Sequence, residues 1–431
     1  MPKSAKPAPK SAKSTPKPAQ IAQWVASAIA STPVFDLHTH LYPPSFGRFM
    51  LWGIDELLTY HYLVAETMRV SDMPTDAFWA LSKPQQADHI WQKLFLERAP
   101  ISEACRGVIT VLRALGLDPS KPLSKIREFF RRQTPEKYTD LVFKLANVHT
   151  VVMTNDPLDP AERQLWLDSP PTDPRFKAVL RIDPLLAGWP GVADSLNSAG
   201  YSASADLSAS SMQQIRRFLS DWIDRMRALY VAASLTPAWR YPDDSPATKV
   251  IDEAILPVTR EKNIPFALMI GVQRQVNPAL KLAGDSVGKS DITSVDRLLA
   301  RNPANKVLLT MLSRENQHEL VVTARKHRNA MVFGCWWFLN NPSLIDEITR
   351  MRVELLGTSF IPQHSDARIL DQIIYKWTHS RRLIATVLTE KFQDLATAGW
   401  AVTKSLVDQT VQSLLSGNFE DFLKAKMPSP A

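Results

Sequence analysis

Val34-Phe35-Asp36-Leu37-His38-Thr39-His40 begins apolar and ends in two histidines set two residues apart. A short, almost continuously hydrophobic run of this kind fits a strand buried on both faces. Polar residues gathered at its C-terminal end are what a parallel barrel places at its active mouth. Seven further runs follow, over 149–155, 176–182, 230–236, 264–271, 306–313, 330–337 and 353–362, with longer stretches of helical spacing between them. That alternation predicts an α/β fold, a (β/α)8 TIM barrel. The intervals are uneven, since about a hundred residues separate the first two runs, far more than one crossover helix requires. Residues 54–147 are therefore expected to form a large helical insertion after the first strand, with apolar spacing in Ile54-Asp55-Glu56-Leu57-Leu58 and in Val108-Ile109-Thr110-Val111-Leu112. Leaving from the top of that strand, the insertion can roof the active site. A second enlarged connection, 184–229, follows the third run, and neither connection contains an internal repeat or a boundary for a second domain.

The formal charge of +8 on 431 residues resembles a nucleic-acid signature until its location is examined. Residues 1–20 hold five lysines and no acid, which leaves +3 for the remainder, 21–431. With no zinc-finger spacing and no phosphate-cradling glycine loop, nucleic acid is not an expected partner. The segment 1–20 is lysine, proline, alanine and serine; it cannot bury enough surface to offset its ordering entropy, so a disordered basic tail is expected there. Ile21-Ala22-Gln23-Trp24-Val25-Ala26 then continues as a short amphipathic helix. No run of about 18 apolar residues exists, so no membrane partner is expected. The two cysteines, Cys105 and Cys335, lie far apart in apolar surroundings, which argues for a reducing compartment, the cytoplasm by default.

Residues two apart on a strand point to the same side, so His38 and His40 can take adjacent positions on one divalent metal. Neutral imidazole suits zinc, with manganese and iron as alternatives. The bland reading is a pair of strand-end histidines satisfied by hydrogen bonds. Against it stands His364-Ser365-Asp366-Ala367-Arg368 at the end of the eighth run, because the eighth strand of a barrel is the neighbour of the first. Asp366 would add a carboxylate and leave positions open for substrate.

These residues resemble the amidohydrolase superfamily, and within it the uronate isomerases (glucuronate isomerase). The likeness runs through most of 34–392. It includes Phe35-Asp36-Leu37-His38-Thr39-His40-Leu41 with Pro43, then Leu57-Leu58-Thr59-Tyr60-His61-Tyr62, Thr154-Asn155-Asp156-Pro157, Leu180-Arg181-Ile182-Asp183, Trp336-Trp337-Phe338 and Asp366-Ala367-Arg368. The resemblance implies that His38, His40 and Asp366 hold the metal and that His61 and Tyr62 reach into the site from the roof. Arg181 and Arg368 look like the family's substrate-binding arginines, and a planar guanidinium suits the carboxylate of a small sugar acid. Trp336 and Trp337 would wall the sugar pocket or pack in the core. Asp366 would act as a base or orient water, with Tyr62 or His61 relaying the proton. The implied reaction interconverts aldose and ketose uronates by moving a proton between C2 and C1.

The sequence departs from the family in the fifth run, where Met269 stands at a usual histidine, and the fourth run, Ala232-Ala233-Ser234-Leu235-Thr236-Pro237, lacks an acid and histidine pair. These departures leave two further readings, a mononuclear metal-dependent hydrolase or decarboxylase and an inactive barrel that serves as a binding protein. The fourth run also has no lysine to bridge two metals, so a binuclear site is disfavoured. A homo-oligomer is compatible with such a barrel, although the sequence fixes no symmetry.

Overall fold

The computed structural model describes residues 16–428. Most of the tail expected over 1–20 lies outside them, but the structured part begins earlier than expected, because a helix already runs over Pro18–Ser31. Pro18 occupies the first turn, where its missing N–H costs nothing. Ile21, Val25, Ala28 and Ile29 form the buried stripe of that helix.

The barrel is a curled parallel sheet in the order β1-β2-β3-β4-β5-β8-β9. Its strands are β1 (Val34–Thr39), β2 (Val148–Asn155), β3 (Phe176–Arg181), β4 (Val231–Leu235), β5 (Phe266–Ile270), β8 (Val307–Met311) and β9 (Ala330–Val332), while β6 (Val272–Gln273) and β7 (Ser286–Val287) pair antiparallel in a small flap after β5. β1, β5 and β8 are buried along their whole length, as strands covered on both faces must be.

The eighth run is corrected by the structure. Residues expected to begin a strand at 353 instead finish the helix Pro342–Leu356, whose buried Ile345, Ile348, Thr349 and Arg352 follow helical spacing, with Asn341 capping its start. The helix stops before Gly357, whose φ of 62° suits glycine. The eighth position of the barrel is filled by an extended segment that makes one regular bridge, Phe333 to Ile361. It closes on β1 through two backbone bonds, Asp366 N–H to His38 O at 3.1 Å and His40 N–H to Ala367 O at 2.7 Å.

The two ends of the barrel are finished differently. At the N-terminal end, the helix Asn418–Lys424 sends Phe419 and Phe422 into the interior cluster, where Phe419 meets Phe35 and Tyr230 with ring centroids 5.2 and 6.1 Å apart. Lys306 Nζ donates to Leu423 O and Ala425 O, satisfying carbonyls at the C-terminal end of that helix. Between β1 and β2 stand seven α-helices, from Ile54–Leu58 to Pro135–Ala146. Their anchor is Asp371, buried at the start of the long helix Gln372–Thr397, which accepts from Gly53 N and Tyr138 Oη. Among the described residues no helix is long and apolar enough to cross a membrane.

Candidate active site

Strand alternation puts Phe35 and Leu37 in the apolar cluster inside the barrel, and unbroken alternation would turn His38 and His40 away from it. The pairing of β1 with β2 slips between Asp36 and Thr39. Such a bulge resets which side chains face inward. His38 consequently lies against the interior, its ring 6.4 Å from Phe333 and 5.4 Å from His364. Asp36, on the opposite side, is fully buried and accepts from Ser365 N at 2.9 Å and Trp377 Nε1 at 2.8 Å, tying β1 to the segment that carries Asp366. Burial pushes its carboxyl up to about 6.

Hydrogen bonds behind the histidines fix their tautomers. Tyr230 Oη donates to Leu37 O at 2.7 Å and lies 2.9 Å from His38 Nδ1. Its one proton being spent, Tyr230 accepts from His38, so Nδ1 carries the hydrogen and Nε2 a free lone pair. Thr154 repeats the device: Oγ1 donates to Thr39 O at 3.1 Å and sits 2.6 Å from His40 Nδ1. Asp366 Oδ1 lies 4.0 Å from Nε2 of His38 and 3.4 Å from Nε2 of His40. It is buried with no hydrogen-bond partner among the described residues. Burial lowers the pKa of both histidines and keeps them neutral. Burial also opposes ionisation of Asp366, but the carboxyl is held below the usual carboxylate range, with the Lys376 ammonium favouring its charged form. Three lone-pair donors whose ligand atoms lie within 4.8 Å of one another, with no proton between them, fit a divalent metal.

The cavity above these atoms measures about 600 Å³. Its walls include His38, His40, Asp366, Arg181, Arg368, His61, Trp336 and Trp337, so the structure brings these eight sequence-derived candidates together. Tyr62 is the exception. The tyrosine on the wall is Tyr60, the residue before the helix His61–Val70, while Tyr62 lies behind, its hydroxyl buried and unpartnered. The physical reason is the turn of the helix: successive residues point about 100° apart, so side chains at 61 and 62 cannot share one direction. His61 Nε2 accepts from Trp337 Nε1 at 3.1 Å, and burial pushes the His61 pKa down to about 3. Neutral His61 therefore carries its proton on Nδ1 and can donate a hydrogen bond.

The two arginines are not equivalent. Arg181 is ion-paired with Asp183, whose other oxygen accepts from Ser234 N at 2.8 Å. Arg368 is exposed at the cavity wall and has no carboxylate partner among the described residues. Trp336 is buried and Trp337 half-buried, and both line the cavity, so wall and core are roles they combine. Met269 is buried among the apolar residues of the barrel interior, consistent with the loss of a polar group there.

Several residues of the site were given no role by the sequence. Arg274 reaches in from the flap, paired with the buried Asp285 at 2.7 Å and 5.5 Å from the Trp337 ring centre. Tyr230 and Thr154 look like ordinary strand residues until their hydroxyls meet the histidines. Asp183 was the most accessible, since it follows Arg181 by two positions.

No family model and no curated protein matches the chain. Solved structures do. A uronate isomerase from Bacillus halodurans is 52% identical, with 96% of this chain and 98% of that one covered and a TM-score of 0.94. A uronate isomerase from Thermotoga maritima shares the fold at 14% identity, with 94% and 97% covered and a TM-score of 0.76. A glucuronate isomerase from Caulobacter crescentus does so at 16% identity, with 97% and 98% covered and a TM-score of 0.65. With 52% identity sustained over nearly the whole of both chains, this chain belongs to the uronate isomerase family.

Proposed function

We propose that this protein interconverts an aldose uronate and its ketose isomer, D-glucuronate with D-fructuronate or D-galacturonate with D-tagaturonate. The observation that carries the reading is the buried, unpartnered Asp366 Oδ1 beside two imidazole lone pairs, in a cavity that also presents Arg368. Family membership favours this reaction over hydrolysis, decarboxylation or a binding role.

In the open-chain aldose, a base removes the C2 proton, the electron pair forms a C1–C2 double bond, and the C1 oxygen takes a proton. The enediol then loses its O2 proton and gains one at C1, leaving a C2 ketone with no net change in composition. Asp366, ionised and on the cavity wall, takes the C2 proton or orients the water that does. Arg368 binds the substrate carboxylate through parallel hydrogen bonds, and Arg181, held by Asp183, donates to the sugar oxygens. His61 offers an N–H to an enediol oxygen, and Trp336 and Trp337 limit water. Tyr62 serves as a second proton relay only if its buried hydroxyl reaches the site through His61 or Tyr60. A divalent metal, zinc in this reading with manganese or iron as alternatives, would be held by His38, His40 and Asp366 and would polarise sugar oxygens when bound. The partner is a small sugar acid, without nucleic acid or membrane, and the two buried free thiols, Cys105 and Cys335, fit a reducing cytoplasm.

A coupled assay of metal-analysed protein on glucuronate and galacturonate, read by appearance of the keto acid, tests the activity. Turnover on neither sugar with stoichiometric metal present would sink it. Asp366→Asn tests the base: exchange of the C2 proton with deuterated solvent is expected to vanish, and undiminished exchange removes Asp366 from that role.

A further inference from the structure

Lys376 sits on the long helix Gln372–Thr397 and is buried, with its ammonium directed at the segment that carries Asp366. Its one hydrogen bond runs from Nζ to Ser365 O at 2.6 Å. The next residue on the helix, Trp377, grips the same segment from its other side, since Trp377 donates to Asp36 Oδ2 and Asp36 Oδ1 accepts from Ser365 N. The Ser365 peptide is thus clamped at both its N–H and its carbonyl. The following residue, Asp366, has a φ of 51°, a left-handed conformation uncommon for a residue with a side chain. A strained conformation of this kind persists where surrounding contacts over-determine it, and it tends to mark functional sites. Here it turns the Asp366 carboxylate back toward His38 and His40.

A buried ammonium is costly unless charge is returned to it nearby. A neutral donor would suffice to satisfy one carbonyl, and Asn340 Nδ2 already donates to Ser365 O at 3.2 Å. The cation therefore needs another explanation than hydrogen-bond satisfaction. Burial lowers the pKa of its amine, and the charges that favour the ammonium are Asp366 and Asp36, one on each side of Ser365, with Glu103 more weakly involved.

We infer that Lys376 is a positioning residue of the active site: by holding the Ser365 carbonyl beside Asp366 it fixes the left-handed turn that presents Asp366 to the two histidines and to substrate. The inference rests on the isomerase reading, and turnover by the wild-type protein in the same assay tests that reading separately. Lys376 does not line the cavity, so its loss acts through Asp366 and leaves the substrate-binding arginines intact.

The test is Lys376→Met in the full, zinc-loaded protein, which keeps the stem of the side chain and removes the cation. A misplacement of about 1 Å at a reacting group costs about 100-fold, so kcat is expected to fall by about that factor while KM stays within about threefold. The zinc Kd, measured by competition with a chromogenic chelator, is expected to weaken about tenfold or more. Both kcat and zinc Kd within twofold of wild type would overturn the inference. If Lys376→Met fails to fold, Lys376→Arg decides, because it keeps the buried charge and displaces the donor. A loss of about tenfold in kcat at unchanged KM supports the inference, and wild-type kcat overturns it.

Discussion

The two ends of this barrel use the same strands for opposite purposes. At the N-terminal end Phe35 of β1 packs on Phe419, and the C-terminal helix seals the interior with apolar surface. Three residues along the same strand, His38 faces a cavity of polar and charged groups roofed by the helical insertion and the flap. The lower end is closed by apolar packing and by Arg381, which donates to Thr32 O and Asn147 O just before β1 and β2. The upper end buries Asp366 Oδ1, Tyr62 Oη and both ring nitrogens of His364 without hydrogen-bond partners among the described residues. Unpaired buried polar atoms each cost on the order of 1–3 kcal/mol, so the stability of the plugged end carries the reactivity of the open one. Tyr230 spans the divide: its ring lies against Phe419 and its hydroxyl orients His38.

Substitutions at the two ends should therefore separate activity from stability. The largest expected effect is Asp366→Ala, which should lower kcat by about 10²–10⁴-fold while the melting temperature stays near that of wild type. A large loss of stability with it would mean that the carboxylate also carries the fold. Phe419→Ala should do the reverse, costing about 3–5 kcal/mol in denaturant unfolding with kcat/KM of the folded fraction unchanged. Arg368→Met should raise KM by the worth of a charged hydrogen-bonded pair, about 1.5–3 kcal/mol, with less change in kcat. Isothermal titration with a non-reacting sugar acid checks it, and undiminished affinity would hand the carboxylate to Arg181 or Arg274. The smallest effect sharpens the boundary. Tyr230→Phe keeps the ring on Phe419 but removes the acceptor behind His38 and the donor to Leu37 O, so metal affinity should weaken about tenfold with a stability loss of about 1–3 kcal/mol. Destabilisation with unchanged metal affinity would instead show that the hydroxyl serves the fold and not His38.

Much of the upper end was readable before any coordinates, since His38, His40, Asp366, Arg181 and Arg368 are chemically distinctive residues at the ends of apolar runs. The residues that orient them were not. Tyr230 has no signature, and Thr154 has only its place in a family motif with no role attached, because a hydroxyl becomes significant only when its proton is already committed elsewhere and a particular nitrogen faces it. That Tyr60 and not Tyr62 lines the cavity is not legible either, because a sequence shows neighbours but not the direction in which a helix presents them. The eighth run was read as a strand from its apolar content, which a buried helix shares, and the helix prevails because Asn341 and Pro342 start it and Gly357 stops it.

What the sequence determined by itself is the succession of apolar runs, the histidines and aspartate at their ends and the length of the insertion, because hydrophobic periodicity and residue chemistry are local properties. What only the tertiary structure decided is the bulge in β1, the tautomers of His38 and His40, the pairing of Arg181 with Asp183 and the clamp of Lys376 and Trp377 on the Ser365 peptide. Each of these joins residues brought together by closure of the sheet or by packing of a distant helix, and a hydrogen bond depends on distance and angle in space, which spacing along the chain does not encode.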